Sequence, residues 1–104
     1  MVSPDDFRRI ALSFPGAEER SHMAHPDFRV SGRIFATLSA PDADHGMVVL
    51  MPEQQEDFVV VAPDAFRPAA GAWGRRGSTL VRLKAVSDDV LESALAAAWR
   101  LRAG

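Results

Sequence analysis

Cysteine is absent from the 104 residues of this chain. Without it the protein can form no disulfide framework, no thiolate zinc site, no iron–sulfur cluster and no cysteine nucleophile. Long apolar runs are absent too, since no stretch approaches the roughly 18 residues that a membrane-spanning helix requires. The opening residues Ser3–Asp6 do not resemble a basic and then apolar signal sequence. We therefore expect a cytoplasmic protein that does not associate with a membrane.

An excess of positive charge is also missing. The chain has 12 basic and 14 acidic residues, which gives a formal net charge of −2, so it lacks the overall positive field typical of a nucleic-acid-binding protein. Its length and its 47% content of apolar side chains fit one compact domain over residues 1–104. A chain of this size buries enough surface to fold without a metal ion or disulfides.

Several sequence motifs of catalysis are not found. No serine has the Gly-x-Ser-x-Gly setting of a hydrolase nucleophile. Neither a phosphate-binding loop nor Gly-x-Gly-x-x-Gly after a strand occurs. We expect no nucleotide cofactor, no other cofactor and no catalytic activity.

Capping residues followed by apolar side chains at helical spacing predict two helices. Ser3 and Pro4 are a typical helix start, so we place the first helix over residues 4–13. Ser87 repeats the capping pattern before a second apolar stripe, which predicts a helix through to the end of the chain.

Alternating apolar residues predict strands in the first half of the chain. The alternation over residues 18–38 is broken at Pro26 and at Ser31-Gly32, as in hairpin strands. The uniformly apolar stretch Met47–Met51 predicts a buried central strand. The following residues are ambiguous, because an acidic start favours a helix while the valines Val59–Val61 favour a strand. We favour a short helix over residues 53–60.

A segment rich in glycine and proline follows. Residues 66–78 predict mostly loop, with a brief strand at Phe66 and Arg67. Alternation over residues 79–83 predicts the last strand. Because the connections are mostly short, we expect an α+β fold of two layers, with a mostly antiparallel sheet and the helices on one face.

Four sequence segments carry a resemblance to a known family. They are Phe14–Glu19, His25–Ala36, Phe66–Pro68 and Trp73–Gly77, and together they resemble the MmcQ/YjbR family over nearly the whole chain. Arg33 departs from the lysine expected in that family, and Ser78 from an aromatic residue.

The resemblance implies a fold similar to type III secretion chaperones, with elements in the order α-βββ-α-ββ-α. It also implies DNA binding of undefined specificity, because members of the family carry that label. It implies no catalytic residue.

The strongest local feature is a run of basic residues. Five basic residues and no acid lie between Ala65 and Ser87, and arginine guanidinium groups suit phosphate oxygens. They are Arg67, Arg75, Arg76, Arg82 and Lys84. Strand alternation predicts that Arg82 and Lys84 leave the sheet on the face opposite Leu83, and that Arg29 and Arg33 join them, with Phe35 on the same face.

Each of these residues also has a structural interpretation. Phe35 in a central strand is more often part of the core. Arg75 and Arg76 could form a solvated loop that only aids solubility. Trp73 could stack on a base, but a tryptophan in a loop more often covers the edge of the core.

One cluster contains residue types that bind metals or catalyse proton transfer. Glu18, Glu19, His22, His25 and Asp27 lie close together in sequence. In an extended chain the three-residue spacing of the two histidines does not place both rings on one face, so we expect no metal site. His45 lies in an aspartate-rich turn and is interpreted as a solvated loop residue.

Two functions follow from these observations. The first is a nucleic-acid or polyanion-binding module that contacts phosphates through the basic loop 66–77 and the Ser31-Gly32 hairpin. The alternative is a protein-interaction module similar to secretion chaperones. In either case we expect a monomer or a weak dimer.

Overall fold

The computed structural model describes all of residues 1–104 and has four helices and six strands. In chain order the elements are α1 (Pro4–Leu12), β1 (Glu18–His22), β2 (His25–Val30), β3 (Arg33–Leu38), β4 (His45–Val49), α2 (Pro52–Val61), β5 (Phe66–Pro68), α3 (Gly71–Arg75), β6 (Ser78–Arg82) and α4 (Asp88–Ala103).

The α+β prediction and its element order are confirmed. The six strands form one sheet in the order β1-β2-β3-β4-β6-β5, and every neighbouring pair is antiparallel. The structure has four strands before α2 where the predicted order has three, and it adds the short helix α3 inside the segment predicted as loop. The strand predicted over Met47–Met51 begins earlier, at His45, and lies inside the sheet as expected.

The capped helices form where the sequence predicts them. The Ser3 hydroxyl accepts from the Asp6 amide at 3.0 Å, and the Asp6 carboxylate accepts from the Ser3 amide at 3.0 Å. The Ser87 hydroxyl accepts from the Val90 amide at 3.3 Å. These bonds satisfy amides that have no partner within the first turn of a helix. No helix in the structure combines the length and the apolar character needed to cross a membrane.

The ambiguous segment after β4 is the helix α2, as predicted. Pro52 lies in the first helical turn, where proline is favoured, and the valines form the last turn of the same helix, so their local preference for a strand does not decide this segment. The Phe58 ring packs against Phe66 of β5, with ring centroids 5.2 Å apart. This contact fixes α2 beside the edge of the sheet.

The hydrophobic core lies between the helices and one face of the sheet. Phe7 of α1 contacts Phe28 of β2, with centroids 5.9 Å apart, and both side chains are fully buried. Phe7 also lies over β4, where a Cβ on Gly46 would meet its ring at 2.7 Å. Gly46 is opposite Val81, which is opposite Phe66. Buried side chains of α4 belong to the same core cluster. Helices α1, α2 and α4 therefore cover this face and leave the other face open.

Candidate nucleic-acid interface

Polar side chains of β4, β6 and β5 lie on the open face of the sheet. Arg82 of β6 is opposite His45 of β4, and Arg67 of β5 is opposite Leu80 of β6. Residues two apart on a strand point to the same side. Arg67, Arg82 and His45 therefore share the open face, and all three line one cleft.

Residues 66–82, which comprise β5, α3 and β6, form what we call the basic hairpin. Four arginines and no acidic residue lie in it. They are Arg67, Arg75, Arg76 and Arg82. Arg67 and Arg82, 15 positions apart in the chain, are neighbours in the sheet because β5 and β6 pair directly, and α3 with Arg75 and Arg76 connects these two strands.

Eight of the eleven arginines divide into two groups by their carboxylate partners. The other three, Arg33, Arg100 and Arg102, have no carboxylate within 4.0 Å, but Arg33 and Arg102 donate to backbone carbonyls. All four arginines in the first 30 residues have a carboxylate oxygen within 4.0 Å. None of the four arginines of the basic hairpin has such a partner. Their guanidinium donors are therefore free to bind an external anion.

The tryptophan of the basic hairpin lies in solvent. Trp73 of α3 is 68% exposed, so it does not cover the edge of the core. The Arg76 guanidinium carbon lies 5.9 Å from the centroid of its ring, within the range of a cation–π contact. The exposed indole and the neighbouring arginine together offer a stacking surface with a positive charge beside it.

A buried amide holds α3 in place. The Gln55 side chain of α2 donates to the carbonyls of Gly74 and Ser78 at 3.1 Å each, and to the Thr79 hydroxyl at 3.0 Å. Gln55 is 7% exposed, and satisfied polar groups in a buried position rigidify their surroundings. Gln55 thereby connects α2 to Gly74 of α3 and to Ser78 at the start of β6.

Arg29 lies on the open face as predicted, but its charge is compensated. Its Nε and Nη2 donate to Asp27 at 2.8 and 3.1 Å. The two-pronged bond raises the pKa of Arg29 and, together with His22, lowers the pKa of the buried Asp27 carboxyl. Arg29 is therefore part of an internal ion pair and does not add a free charge to the basic hairpin.

The prediction that Arg33 and Phe35 lie on the open face is wrong. Phe35 has no residue opposite it on β2, because the register shifts between Phe28 and Arg29. Such a bulge reverses the alternation beyond it. Arg33 is consequently opposite the buried Val30 and donates to a carbonyl of α4 at 3.5 Å. Phe35 is fully buried in the core.

Lys84 lies outside the basic hairpin. Strand β6 ends at Arg82, and Lys84 is in the turn that follows. Its ammonium nitrogen is 3.9 Å from the Asp44 carboxylate, and both side chains are 62% exposed. The pair is weak in water, but a carboxylate beside Lys84 reduces its attraction for a phosphate.

The acidic and histidine cluster near the β1–β2 turn is partly assembled. His22 Nδ1 is 2.7 Å from the Asp27 carboxylate, whereas Glu19 accepts from Arg8 Nε at 2.8 Å and Glu18 pairs with Arg20 at 3.5 Å. The rings of His22 and His25 have centroids 6.2 Å apart. No group of three histidine or carboxylate side chains is arranged to hold a metal ion.

The Asp27 carboxyl makes the stability of the fold depend on pH. Its pKa lies below the ordinary value of 3.8, chiefly because Arg29 donates to it. A lowered pKa stabilises the folded state above pH 3.8, and this contribution is lost as the pH falls through the folded-state pKa. We expect D27N to lower the free energy of unfolding by about 2 kcal/mol at pH 7.

The gap in unfolding free energy between wild type and D27N should narrow as the pH falls below 3.8, because the unfolded chain then takes up a proton that the folded-state carboxyl resists. Urea unfolding of both proteins at a series of pH values measures this difference in the free energy of unfolding. D5N, which removes an exposed carboxylate, is the control. A gap that persists unchanged at pH 2 would contradict the role assigned to the ionised carboxylate.

Two residues of this region escape sequence reasoning. His45 is predicted as a solvated loop residue, but it begins β4 and its side chain is only 16% exposed. Its Nδ1 is 2.7 Å from Asp42. Gln55 stands among acidic residues with nothing in the sequence to distinguish it. Only the position of His45 opposite Arg82 on the neighbouring strand indicates that His45 belongs to the site. That position is known only once the strand register is known.

Comparisons with known proteins agree with this fold. A family model described as YjbR matches residues 12–101. The structure is similar to the crystal structure of Deinococcus radiodurans protein DR2400, which has the domain DUF419, with a TM-score of 0.80 and 19% sequence identity. The similarity covers 97% of this chain and 78% of that one, and it shows a shared fold. No curated protein matches the chain.

Proposed function

The chain belongs to the YjbR family, and we propose that it binds the phosphate backbone of single-stranded nucleic acid through the basic hairpin. The observation that carries the proposal is the absence of carboxylate partners for Arg67, Arg75, Arg76 and Arg82. An arginine already bound to a carboxylate would have to break that bond before it could bind a phosphate.

The preference for a single strand rests on Trp73. Proteins that bind single strands combine positive side chains along the backbone with aromatic rings on which bases stack. The exposed Trp73, with Arg76 near its ring, supplies the aromatic component next to the positive one. Every base has a face that can stack, so this arrangement supports binding without base specificity.

The Ser31-Gly32 hairpin is not part of this proposal. Of its two flanking arginines, Arg29 is bound to Asp27 and Arg33 to the end of α4. The proposed interface therefore consists of the basic hairpin alone, which contains the whole of the segment 66–77 that the sequence indicates.

The salt dependence of binding tests the proposal. Each phosphate contact with a single strand contributes about −0.7 to the slope of log K against log salt concentration, so four arginines predict a slope of about −2.8. A fluorescence anisotropy titration of a labelled 12-nucleotide oligothymidylate, repeated at five salt concentrations, measures this slope. Absence of binding, or a slope near zero, would contradict the proposal.

Binding of a protein partner is the second candidate. The observation that favours it is the exposure of Val60 and Val61 at the end of α2, 80% and 68% respectively. Exposed apolar side chains next to one another indicate an interaction surface when they form part of a larger patch. This candidate uses α2 rather than the basic hairpin, so variants confined to the arginines of the hairpin should leave it unaffected.

A further inference from the structure

A cleft on the open face has the donors of a phosphate site. Its volume is about 430 Å³, within the range of small-molecule sites. It lies where β4, β6 and β5 are adjacent. Its lining residues are His45, Pro63, Asp64, Ala65, Phe66, Arg67, Leu80 and Arg82.

Two of the unpaired arginines converge on this cleft. Arg82 is directly opposite His45, and Arg67 is one diagonal step away, opposite Leu80. On one face of an antiparallel sheet, Cβ atoms are about 5 Å apart for opposite residues and about 7 Å apart for diagonal ones. Arginine and histidine side chains are long enough to reach one anion from these positions.

The ring of His45 is oriented by a carboxylate. Its Nδ1 is 2.7 Å from Asp42 Oδ1, which leaves Nε2 as the ring nitrogen free for a ligand. The same contact lowers the pKa of Asp42.

Two carboxylates oppose an anion in this cleft. Asp42 acts on Arg67 as well as on His45, and Asp64 lines the cleft. They offset part of the attraction from the arginines for a ligand of any negative charge, so the number of oxygens offered to the guanidinium groups distinguishes one phosphate from another. A backbone phosphodiester has one charge and two free oxygens, whereas a terminal phosphate has three free oxygens and a charge of about −1.5 to −2 at pH 7.

We propose that this cleft binds a phosphomonoester, with Arg67 and Arg82 on its oxygens and the ring of His45 beside them. Arginine binds phosphate oxygens with two parallel bonds, so two arginines are better satisfied by the three free oxygens of a terminal phosphate than by the two of a backbone phosphodiester. If the phosphate is the terminal phosphate of a nucleic-acid strand, this inference rests on the proposed function. A free nucleotide supplies the same chemistry.

Oligonucleotides that differ only at their ends test the inference. We expect a 12-nucleotide oligothymidylate with a 5′- or 3′-terminal phosphate to bind about tenfold more tightly than one with hydroxyl groups at both ends. R82Q and R67Q should each reduce this ratio to about one. R20Q, which removes an arginine that is paired with Glu18 on the same open face, should leave the ratio unchanged. Circular dichroism confirms that each variant is folded.

Each outcome separates the inference from the proposed function. Equal affinity of the wild type for all strands overturns the phosphomonoester site and leaves backbone binding intact. If no strand binds, the proposed function fails, and thymidine 5′-monophosphate then decides the inference. Binding of that nucleotide that is lost in R82Q supports a phosphomonoester site for free nucleotides, and no binding overturns it.

Discussion

Replacing Arg75 and Arg76 by glutamine is expected to weaken the binding of a single-stranded oligonucleotide about 25-fold at 0.1 M salt. The loss of two phosphate contacts should change the slope of log K against log salt concentration from about −2.8 to about −1.4. At 0.1 M salt this change of about 1.4 corresponds to the 25-fold loss of affinity. Both arginines are exposed at the end of α3 without a carboxylate partner. Anisotropy titrations of wild type and R75Q/R76Q over the same salt series measure both quantities.

A matched variant separates the local effect from the change in net charge. R9Q/R20Q also removes two positive charges, but from arginines that are paired with Asp6 and Glu18 at 3.5 Å. We expect its slope to stay near the wild-type value. An equal loss of affinity in both double variants would mean that total charge, and not the basic hairpin, governs binding.

Replacing Gly77 by alanine is expected to cause a large loss of stability. Gly77 has a φ of +116°, and a Cβ there would lie 1.7 Å from the Leu50 carbonyl oxygen. The neighbouring backbone would have to move, and the residue would keep an unfavourable conformation. Together these effects should cost about 3 kcal/mol or more in the free energy of unfolding, measured by urea titration.

Gly71 provides the control for that substitution. It also has a positive φ, +68°, but a Cβ there would meet nothing within 4 Å. G71A should therefore cost only the conformational strain, about 1 kcal/mol. If G77A and G71A lose the same small amount of stability, the Leu50 carbonyl is not the constraint that holds the start of β6 against the end of β4.

Local signals in the sequence were sufficient for most of the elements. The helix starts at Ser3 and Ser87 depend on hydrogen bonds between residues three apart, so they can be read from neighbouring letters. The helix after Pro52 also agrees with prediction, because the restriction imposed by proline is local. Helix α3 was missed, since its five residues contain two glycines and it is held by the distant Gln55.

The candidate site could be predicted only in part. The basic run from Arg67 to Arg82 is visible in the sequence, and pairing of β5 with β6 keeps it together. The side on which Arg33 lies was not predictable, because one unpaired residue in β3 reverses the alternation. The compensation of Arg29 by Asp27 is also hidden, since a two-residue spacing on a strand does not show that both side chains bend towards each other.

The sequence by itself determined most of the helices and strands, though not α3, and where the positive charge is concentrated, because capping, alternation and composition act over a few residues. Only the tertiary structure decided which arginines are free, which face of the sheet is open, and that His45 stands opposite Arg82. These properties depend on strand register and on charges from distant segments. Both arise from packing between elements and therefore exist only in the folded chain.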